Sequence, residues 1–147
     1  MRRSEAEAGF TLIEMTVVMA IIALVASLVI ISLPGTGRTR LKAVVMETEA
    51  LLRQERLAAI LTRSDRNVLL DGQNRTLVGD DGNAVVVPRD VTIDVLGAAA
   101  ASYGRSLVVA FHPDGGSSGA VLRLAREGAG YEVRVNWYSG KVSIGAE

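Results

Sequence analysis

Residues 9–33 of the chain read GFTLIEMTVVMAIIALVASLVIISL, a long apolar segment that contains a single charged residue, Glu14. Met15 to Leu33 is a run of 19 residues without a charge. At about 1.5 Å per residue, a helix of that length spans about 28 Å, close to the hydrocarbon core of a bilayer, which is about 30 Å thick. A helix also satisfies its own backbone hydrogen bonds, as lipid requires. The run predicts a transmembrane helix over residues 10–33.

The alternative for this run is a cleaved secretory signal. Such a signal has an apolar region of about 7–15 residues followed by a small-residue cleavage site. Here the run is longer, and the V-A-S site at residues 25–27 lies inside it, so we expect a retained helix. The cations of residues 38–42 weakly favour a cytoplasmic side after the span, but a soluble domain of this size crosses the membrane largely regardless of charge.

The composition excludes several functions. The 147 residues include 16 Lys and Arg, 16 Asp and Glu, a single His and no Cys. A formal charge of zero argues against holding nucleic acid by bulk neutralisation of phosphate. Without Cys there are no disulfides, thiolate metal sites or cysteine nucleophiles, and one His excludes a metal site that needs two imidazoles. We therefore expect a non-enzymatic chain without a cofactor, a resident metal or a small-molecule substrate.

Glu14 is a charge inside the apolar stretch that begins at Phe10. A carboxylate at the centre of a bilayer costs about 2.5–3.5 kcal/mol, less near the interface, and usually has a partner. A Glu that merely marks the hydrated entrance of the helix explains the position equally well. The surrounding segment, G-F-T-L-I-E from Gly9 to Glu14, resembles the processing site of type IV prepilins and pseudopilins.

This resemblance implies a processing event and an assembly role. A prepilin peptidase would cut between Gly9 and Phe10, which makes residues 1–9 a leader peptide, and would methylate the new amine of Phe10. Glu14 would pair with the terminal amine of a neighbouring subunit, so that two costly charges become one desolvated pair. The leader departs from the family pattern because Glu5 and Glu7 dilute its positive charge.

Beyond the apolar run, the hydrophobic pattern predicts an α+β, pilin-like head. Pro34 and the glycines after it predict a kink, after which helical periodicity continues over residues 34–63 and gives one long helix from Phe10 to about Thr62. Period-two alternation then predicts half-buried strands at 91–95 and 131–137, and a covered strand at 107–111. The long helix would pack on an antiparallel sheet or sandwich formed by residues 64–147.

Finer features of the head follow from local sequence. Ser139-Gly140 predicts a two-residue hairpin, and residues 98–102 predict a surface loop. We expect Trp137 to anchor the core, with a partner-binding aromatic as the alternative. The acidic turns at Asp71 and at residues 80–83 leave weak calcium binding open, although neither has the spacing of an EF-hand.

Two segments of the head carry a second resemblance. F-H-P-D-G-G-S-S-G at residues 111–119 and N-W-Y-S-G-K-V at residues 136–142 resemble the H-type minor pseudopilins of type II secretion. The resemblance implies a structural subunit near the tip of the periplasmic pseudopilus, which supports export of folded proteins across the outer membrane. Its partners would be other minor pseudopilins, the major pseudopilin and prepilin peptidase. It would be a single-pass protein of the bacterial inner membrane with a periplasmic head, and would bind no nucleic acid.

One loop of the head is a candidate for subunit contacts: Asp114, Gly115, Gly116, Ser117, Ser118 and Gly119. Its G-G-S-S-G sequence formally fits a nucleophile elbow, but that motif needs a His later in the chain, and His112 precedes the serine. A tight loop is therefore the better interpretation. Two rivals for the whole chain stay open: a minor pilin of a type IV pilus or DNA-uptake filament, and a signal-anchored periplasmic binding domain.

Overall fold

A computed structural model describes residues 11–32, 37–96, 99–102 and 104–146. The chain divides into two compact units, Met1–Pro34 and Gly35–Glu147. The first unit contains helix α1, Leu12–Ser32, and the second begins with helix α2, Gly37–Thr62. The predicted kink at Pro34 lies outside the described residues. The predicted helix end at about Thr62 is confirmed.

Within the described residues, α2 is followed by nine strands in two antiparallel sheets. The first sheet has the order β3-β2-β1-β6-β5, and the second has the order β4-β7-β8-β9. The predicted α+β class with an antiparallel head is confirmed. The strands are β1 Arg66–Asp71, β2 Thr76–Gly79, β3 Ala84–Val86, β4 Thr92–Leu96, β5 Ala99–Ser102, β6 Arg105–Phe111, β7 Ala120–Arg126, β8 Ala129–Val135 and β9 Val142–Ala146.

Helix α2 packs against strands of both sheets and joins them into one core. Its apolar stripe, predicted from the i, i+3, i+4, i+7 spacing, is buried: Leu41, Val44, Val45, Thr48, Leu51, Leu52 and Ala59. Thr48 is tolerated there because its hydroxyl donates to the Val44 carbonyl at 2.8 Å. The two sheets add buried residues from their inner faces, among them Phe111, Leu122 and Val133. Burial of this stripe holds the helix on the head.

The predicted strands lie close to their expected positions. Residues 91–95 correspond to β4, and residues 107–111 fall within β6. In β6, the consecutive residues Val108 and Val109 are both buried, as expected for a covered strand. The prediction of a surface loop at 98–102 was wrong over its described part, because β5 pairs with β6 there, with Ala99 opposite Leu107. Ala98 lies outside the described residues.

The connection between β8 and β9 corrects two predictions. It spans residues 136–141, which is longer than a two-residue hairpin. Strand β8 ends at Val135 because the Asn136 side-chain oxygen accepts the backbone N–H groups of Tyr138 and Ser139, each at 3.0 Å, and so bends the chain out of the sheet. Trp137 therefore lies in the turn and is 69% exposed, so the prediction of a core anchor was wrong.

Candidate functional site

Helix α1 begins with an N-terminal cap formed by hydrogen bonds to Thr11. Thr11 precedes the helix, and its hydroxyl accepts the backbone N–H of Glu14 at 3.3 Å. The Thr11 carbonyl accepts the N–H of Met15 at 3.2 Å, the first regular helical bond. The sequence T-L-I-E has the spacing of a capping box, in which the acidic residue occupies the third helical position. Glu14 therefore sits in the first turn, where a carboxylate complements the positive end of the helix dipole.

The surface of α1 is apolar on every side. Large residues at successive positions, such as Leu12, Ile13, Val17 and Val18, are all exposed, so the apolar residues are not confined to one face of the helix. A helix that is apolar all round is usually buried in a larger assembly or in lipid. The hydroxyl of Ser27 donates to a carbonyl one turn earlier at 2.8 Å, which leaves that donor satisfied without water.

Among the residues that the structure describes, no helix combines the length and the apolar character needed to cross a membrane. The transmembrane assignment of residues 10–33 stays a prediction. Gly9 and Phe10, between which the cleavage is predicted, lie outside the described residues.

The loop from Asp114 to Gly119 connects β6 to β7 and is largely internal. Residues 115–117 are buried, whereas Asp114 and Ser118 are exposed. The Asp114 carboxylate accepts the Gly116 N–H at 2.8 Å, which closes the turn on itself. The loop can therefore offer contacts to another molecule through its two exposed side chains, and its buried centre serves the head itself.

The buried centre of this loop supports the connection between β8 and β9, residues 136–141, which we call the aromatic turn. The Ser117 N–H donates to the Trp137 carbonyl at 2.9 Å, and the Ser117 hydroxyl donates to the Asn136 carbonyl at 3.0 Å. From α2, the Arg56 Nε donates to the carbonyls of Gly115 and Ser139, at 3.2 and 3.1 Å. One arginine thus ties the helix, the loop and the turn together.

The geometry around Ser117 does not build a nucleophile. Its hydroxyl proton is directed to a main-chain carbonyl, and its oxygen accepts the Gly119 N–H at 3.1 Å. His112 lies just after β6, with its Nδ1 3.0 Å from the Asp65 carboxylate. Both side chains are thus engaged in holding loops, as the interpretation of a tight loop requires.

Glu55 is a charged residue that the sequence analysis did not single out. It is fully buried on α2, and its Oε1 accepts the Asp81 N–H at 3.4 Å, while Oε2 has no partner among the described residues. Burial raises the pKa of the Glu55 carboxyl, and the charges of the Asp81 and Asp80 carboxylates add to the rise, while the hydrogen bond from the Asp81 N–H and the charge of Arg66 oppose it. The only sequence signal was a Glu seven residues after Thr48, on the apolar stripe of the helix.

The acidic turns bind their own backbone and side chains. The Asp71 carboxylate accepts the N–H groups of Asn74 and Gln73, each at 3.0 Å, and these bonds, that of Asn74 first, lower the pKa of Asp71. In the second turn, Asp81 lies 2.6 Å from Arg66. Within the described residues, no group of three or more His, Asp or Glu side chains is placed to hold a metal ion.

The outer face of the second sheet carries paired charges. Glu132 on β8 lies between Arg134 on the same strand and Arg123 on β7, and contacts both. The hydrogen bond from Arg134, followed by the charges of the two guanidinium groups, lowers the pKa of Glu132. Elsewhere, Arg126 pairs with Asp90 at 2.9 Å. The arginines of the strands thus form ion pairs with neighbouring carboxylates.

Comparison with known proteins identifies the family. The model of the prokaryotic N-terminal methylation motif matches residues 6–30. The type II secretion system protein H of Xanthomonas campestris pv. campestris is 30% identical over 139 residues, which cover 93% of this chain and 82% of that protein. The chain belongs to the type II secretion system protein H family. No solved structure gives a significant match.

Membership of this family confirms the predicted role of a minor pseudopilin, and the rival interpretation, a minor pilin of a type IV pilus or DNA-uptake filament, is not favoured. The methylation motif spans the predicted processing segment and most of α1. The sequence predicted a turn at Ser139-Gly140 but not that the aromatic turn begins as early as Asn136. The signal for this earlier start was Asn136 itself, because an Asn often ends a strand by accepting backbone N–H groups.

Proposed function

We propose that this minor pseudopilin is a non-catalytic structural subunit near the tip of the periplasmic pseudopilus, below the other minor pseudopilins and above the major one. A single observation carries the proposal. The methylation motif over residues 6–30 lies on a chain that is related along 93% of its length to a type II secretion protein H. In this role, the chain would support export of folded proteins through assembly, and another protein would supply the energy.

The proposal includes processing by prepilin peptidase between Gly9 and Phe10, with methylation of the amine of Phe10. The helix cap at Thr11 supports this site, because a cut there leaves the new ammonium one residue before the cap of α1. An ammonium and the positive end of the helix dipole repel each other. The new terminus therefore needs a carboxylate.

We propose that Glu14 of one subunit provides this carboxylate to the terminus of its neighbour. Glu14 is exposed in the single chain, so its carboxylate is accessible to another molecule. Pairing offsets the desolvation of both charges as the helices pack, and loss of one partner of a buried pair costs about 3–5 kcal/mol. The pair would also set the stagger between adjacent helices.

The same proposal assigns the parts of the chain to compartments. Residues 10–33 would span the inner membrane once, residues 34–63 would continue as the helix of the head, and residues 64–147 would form the periplasmic β-rich domain. The apolar surface of α1 supports the membrane assignment, and the separation of the chain into two compact units supports a boundary near Pro34. Asp114 and Ser118 stay candidates for contacts with neighbouring subunits.

The decisive experiment replaces Glu14 in cells that contain the complete secretion system. We expect Glu14→Ala to be cut and methylated normally, because the peptidase acts on the segment around Gly9. The variant should then fail to co-purify with the other pseudopilins and should not support secretion. Intact-mass spectrometry measures the processing, and affinity purification measures the assembly.

Glu47→Ala is the matched control, because Glu47 is an exposed carboxylate on α2. This control should match the wild-type protein in mass, co-purification and secretion. An uncut, unmethylated wild-type chain would contradict the processing step. Wild-type co-purification of Glu14→Ala would contradict the assembly role of the carboxylate.

A further inference from the structure

The aromatic turn exposes two large side chains next to each other. Trp137 is 69% exposed and Tyr138 is 78% exposed, and their rings meet edge to face with centroids 5.7 Å apart. Only 4% of the chain is aromatic, so these two residues are a substantial part of its aromatic content. Trp and Tyr are the residues most enriched among those that dominate protein–protein binding energies.

The turn is held rigidly although its tip faces solvent. The Asn136 side chain accepts two N–H groups of the turn, and Arg56 and Ser117 fix its carbonyls. A methyl group built on Gly140 would lie 2.3 Å from the Gly115 carbonyl oxygen, which shows how tightly the turn is seated. Since the backbone is already ordered, a partner that binds here loses little conformational entropy in the turn.

The charges around the turn favour an acidic partner. Lys141 lies in the turn, and Arg56 donates a hydrogen bond to the Ser139 carbonyl of the turn. In the part of the chain that the structure describes, neither cation is paired with a carboxylate. Asp114 in the adjoining loop keeps its negative charge but is engaged within that loop, where its carboxylate accepts the Gly116 N–H. The turn therefore presents an apolar pair flanked by positive charge.

We propose that Trp137 and Tyr138 anchor this subunit to the head of a neighbouring pseudopilin, in an apolar pocket of that head bordered by Asp or Glu. This inference rests on the proposed function and names a surface that assembly would use. Arg56 lies about 28 Å along α2 from Gly37, where the chain enters the head, at about 1.5 Å per residue. The turn thus lies far along the helix from that entry, which favours a neighbouring head over lipid as its occupant.

The first test is a site-specific photocrosslink in the full-length chain, made in cells with the complete secretion system. A benzophenone amino acid replaces Tyr138, and a second variant carries it at Val86, which is 65% exposed on β3 and serves as the control. We expect the Tyr138 position to capture another pseudopilin through a peptide that contains Asp or Glu, and the Val86 position not to do so. No adduct with a pseudopilin at Tyr138, while assembly proceeds, would overturn the inference.

The second test measures affinity. We expect Trp137→Ala/Tyr138→Ala to lower co-purification with the captured pseudopilin about tenfold or more, as removal of a central aromatic anchor does. Lys141→Glu should also lower it, and Val86→Ala should leave it unchanged. The melting temperature of each variant shows whether its head is folded. If the double variant does not fold, the photocrosslink at Tyr138 alone decides whether the aromatic turn contacts another pseudopilin.

Two further binding measurements distinguish a pseudopilin partner from a lipid surface and from a nucleic acid. Vesicles of phosphatidylglycerol and a labelled single-stranded oligothymidylate are mixed with the wild-type chain and the double variant. Binding of either probe that depends on Trp137 and Tyr138, together with wild-type co-purification of the double variant, would overturn the inference. If Glu14→Ala abolishes assembly while the double variant assembles normally, the proposed function stands and this inference fails.

Discussion

At the scale of single residues, Glu55 places a carboxylate in a site that has almost no room for it. A methyl group built on Gly79 would lie 2.0 Å from the Glu55 Oε1, so the strand passes directly over the side chain. One carboxylate oxygen has a backbone donor and the other has none among the described residues. Burial of a partly satisfied charge favours the protonated form, and the raised pKa of Glu55 follows from this.

The raised pKa of Glu55 makes the stability of the head depend on pH. Below the unfolded pKa of about 4.5 the group is protonated in both states, and its favourable contribution is fully present. As the pH rises through the higher pKa of the folded state, that contribution is lost, by at most about 1.4 kcal/mol per pH unit. We expect Glu55→Gln to remove this loss and to be more stable than the wild-type protein at neutral pH.

Urea unfolding of the full-length chain in detergent, measured from pH 4 to pH 8 by circular dichroism, checks this prediction. Glu47→Gln, an exposed change on the same helix, should leave the pH dependence unaltered. An unchanged pH dependence in Glu55→Gln would show that this carboxyl is not the group responsible.

At the scale of elements, Gly140 is the residue that seats the aromatic turn. It has a φ of 60°, and the space for a Cβ is already occupied by the Gly115 carbonyl. Gly82 has a comparable φ of 80° but nothing within 4 Å of a built Cβ. Alanine substitutions at the two glycines therefore separate the free-energy cost of backbone strain from that of a steric clash.

We expect Gly82→Ala to lower the free energy of unfolding by about 1 kcal/mol, the usual cost of a left-handed backbone for a residue with a side chain. Gly140→Ala should cost about 3 kcal/mol or more, because a backbone atom stands in the way. It should also weaken the near-ultraviolet circular dichroism of the Trp137–Tyr138 pair. Equal costs at both positions would mean that the turn shifts without difficulty.

The end of β8, where the aromatic turn begins, is a feature that the sequence pattern did not predict. The alternation of apolar and polar residues continues as far as Trp137, so the pattern alone predicts a strand to that point and a buried tryptophan. What ends β8 is the Asn136 side chain together with bonds from α2 and from the loop at residues 115–117. The Asn136 bonds are local, but those from Arg56 and Ser117 join segments distant in the chain, and local periodicity carries no information about them.

At the scale of the whole molecule, α2 is the element that both sheets share. Leu52 is fully buried on this helix, within a core that includes Phe111 from the first sheet and Leu122 from the second. The helix stripe was predictable because a 3.6-residue period is a local property. The sheet order β3-β2-β1-β6-β5 was not, since it depends on pairing between β1 and β6, which are far apart in sequence.

We expect Leu52→Ala to destabilise the head by about 2–5 kcal/mol and both sheets to unfold in one transition, because each loses packing against the same helix. Leu57→Ala, a change at an exposed position of α2, should stay within about 0.5 kcal/mol of the wild-type protein. Hydrogen exchange of the full-length chain in detergent measures both effects. Loss of protection in one sheet alone would contradict a shared core.

The position of β1 at the centre of its sheet has a kinetic consequence. Its neighbour β2 follows directly in the chain, but the partner of Val68 on the other side is Val109. Closing so long a loop costs entropy before the new contacts repay it, and topologies of this kind fold on the order of milliseconds to seconds. Each newly made chain therefore spends an interval with unpaired strand edges, and the speed of the β1–β6 pairing sets how long proteases and chaperones have access to it.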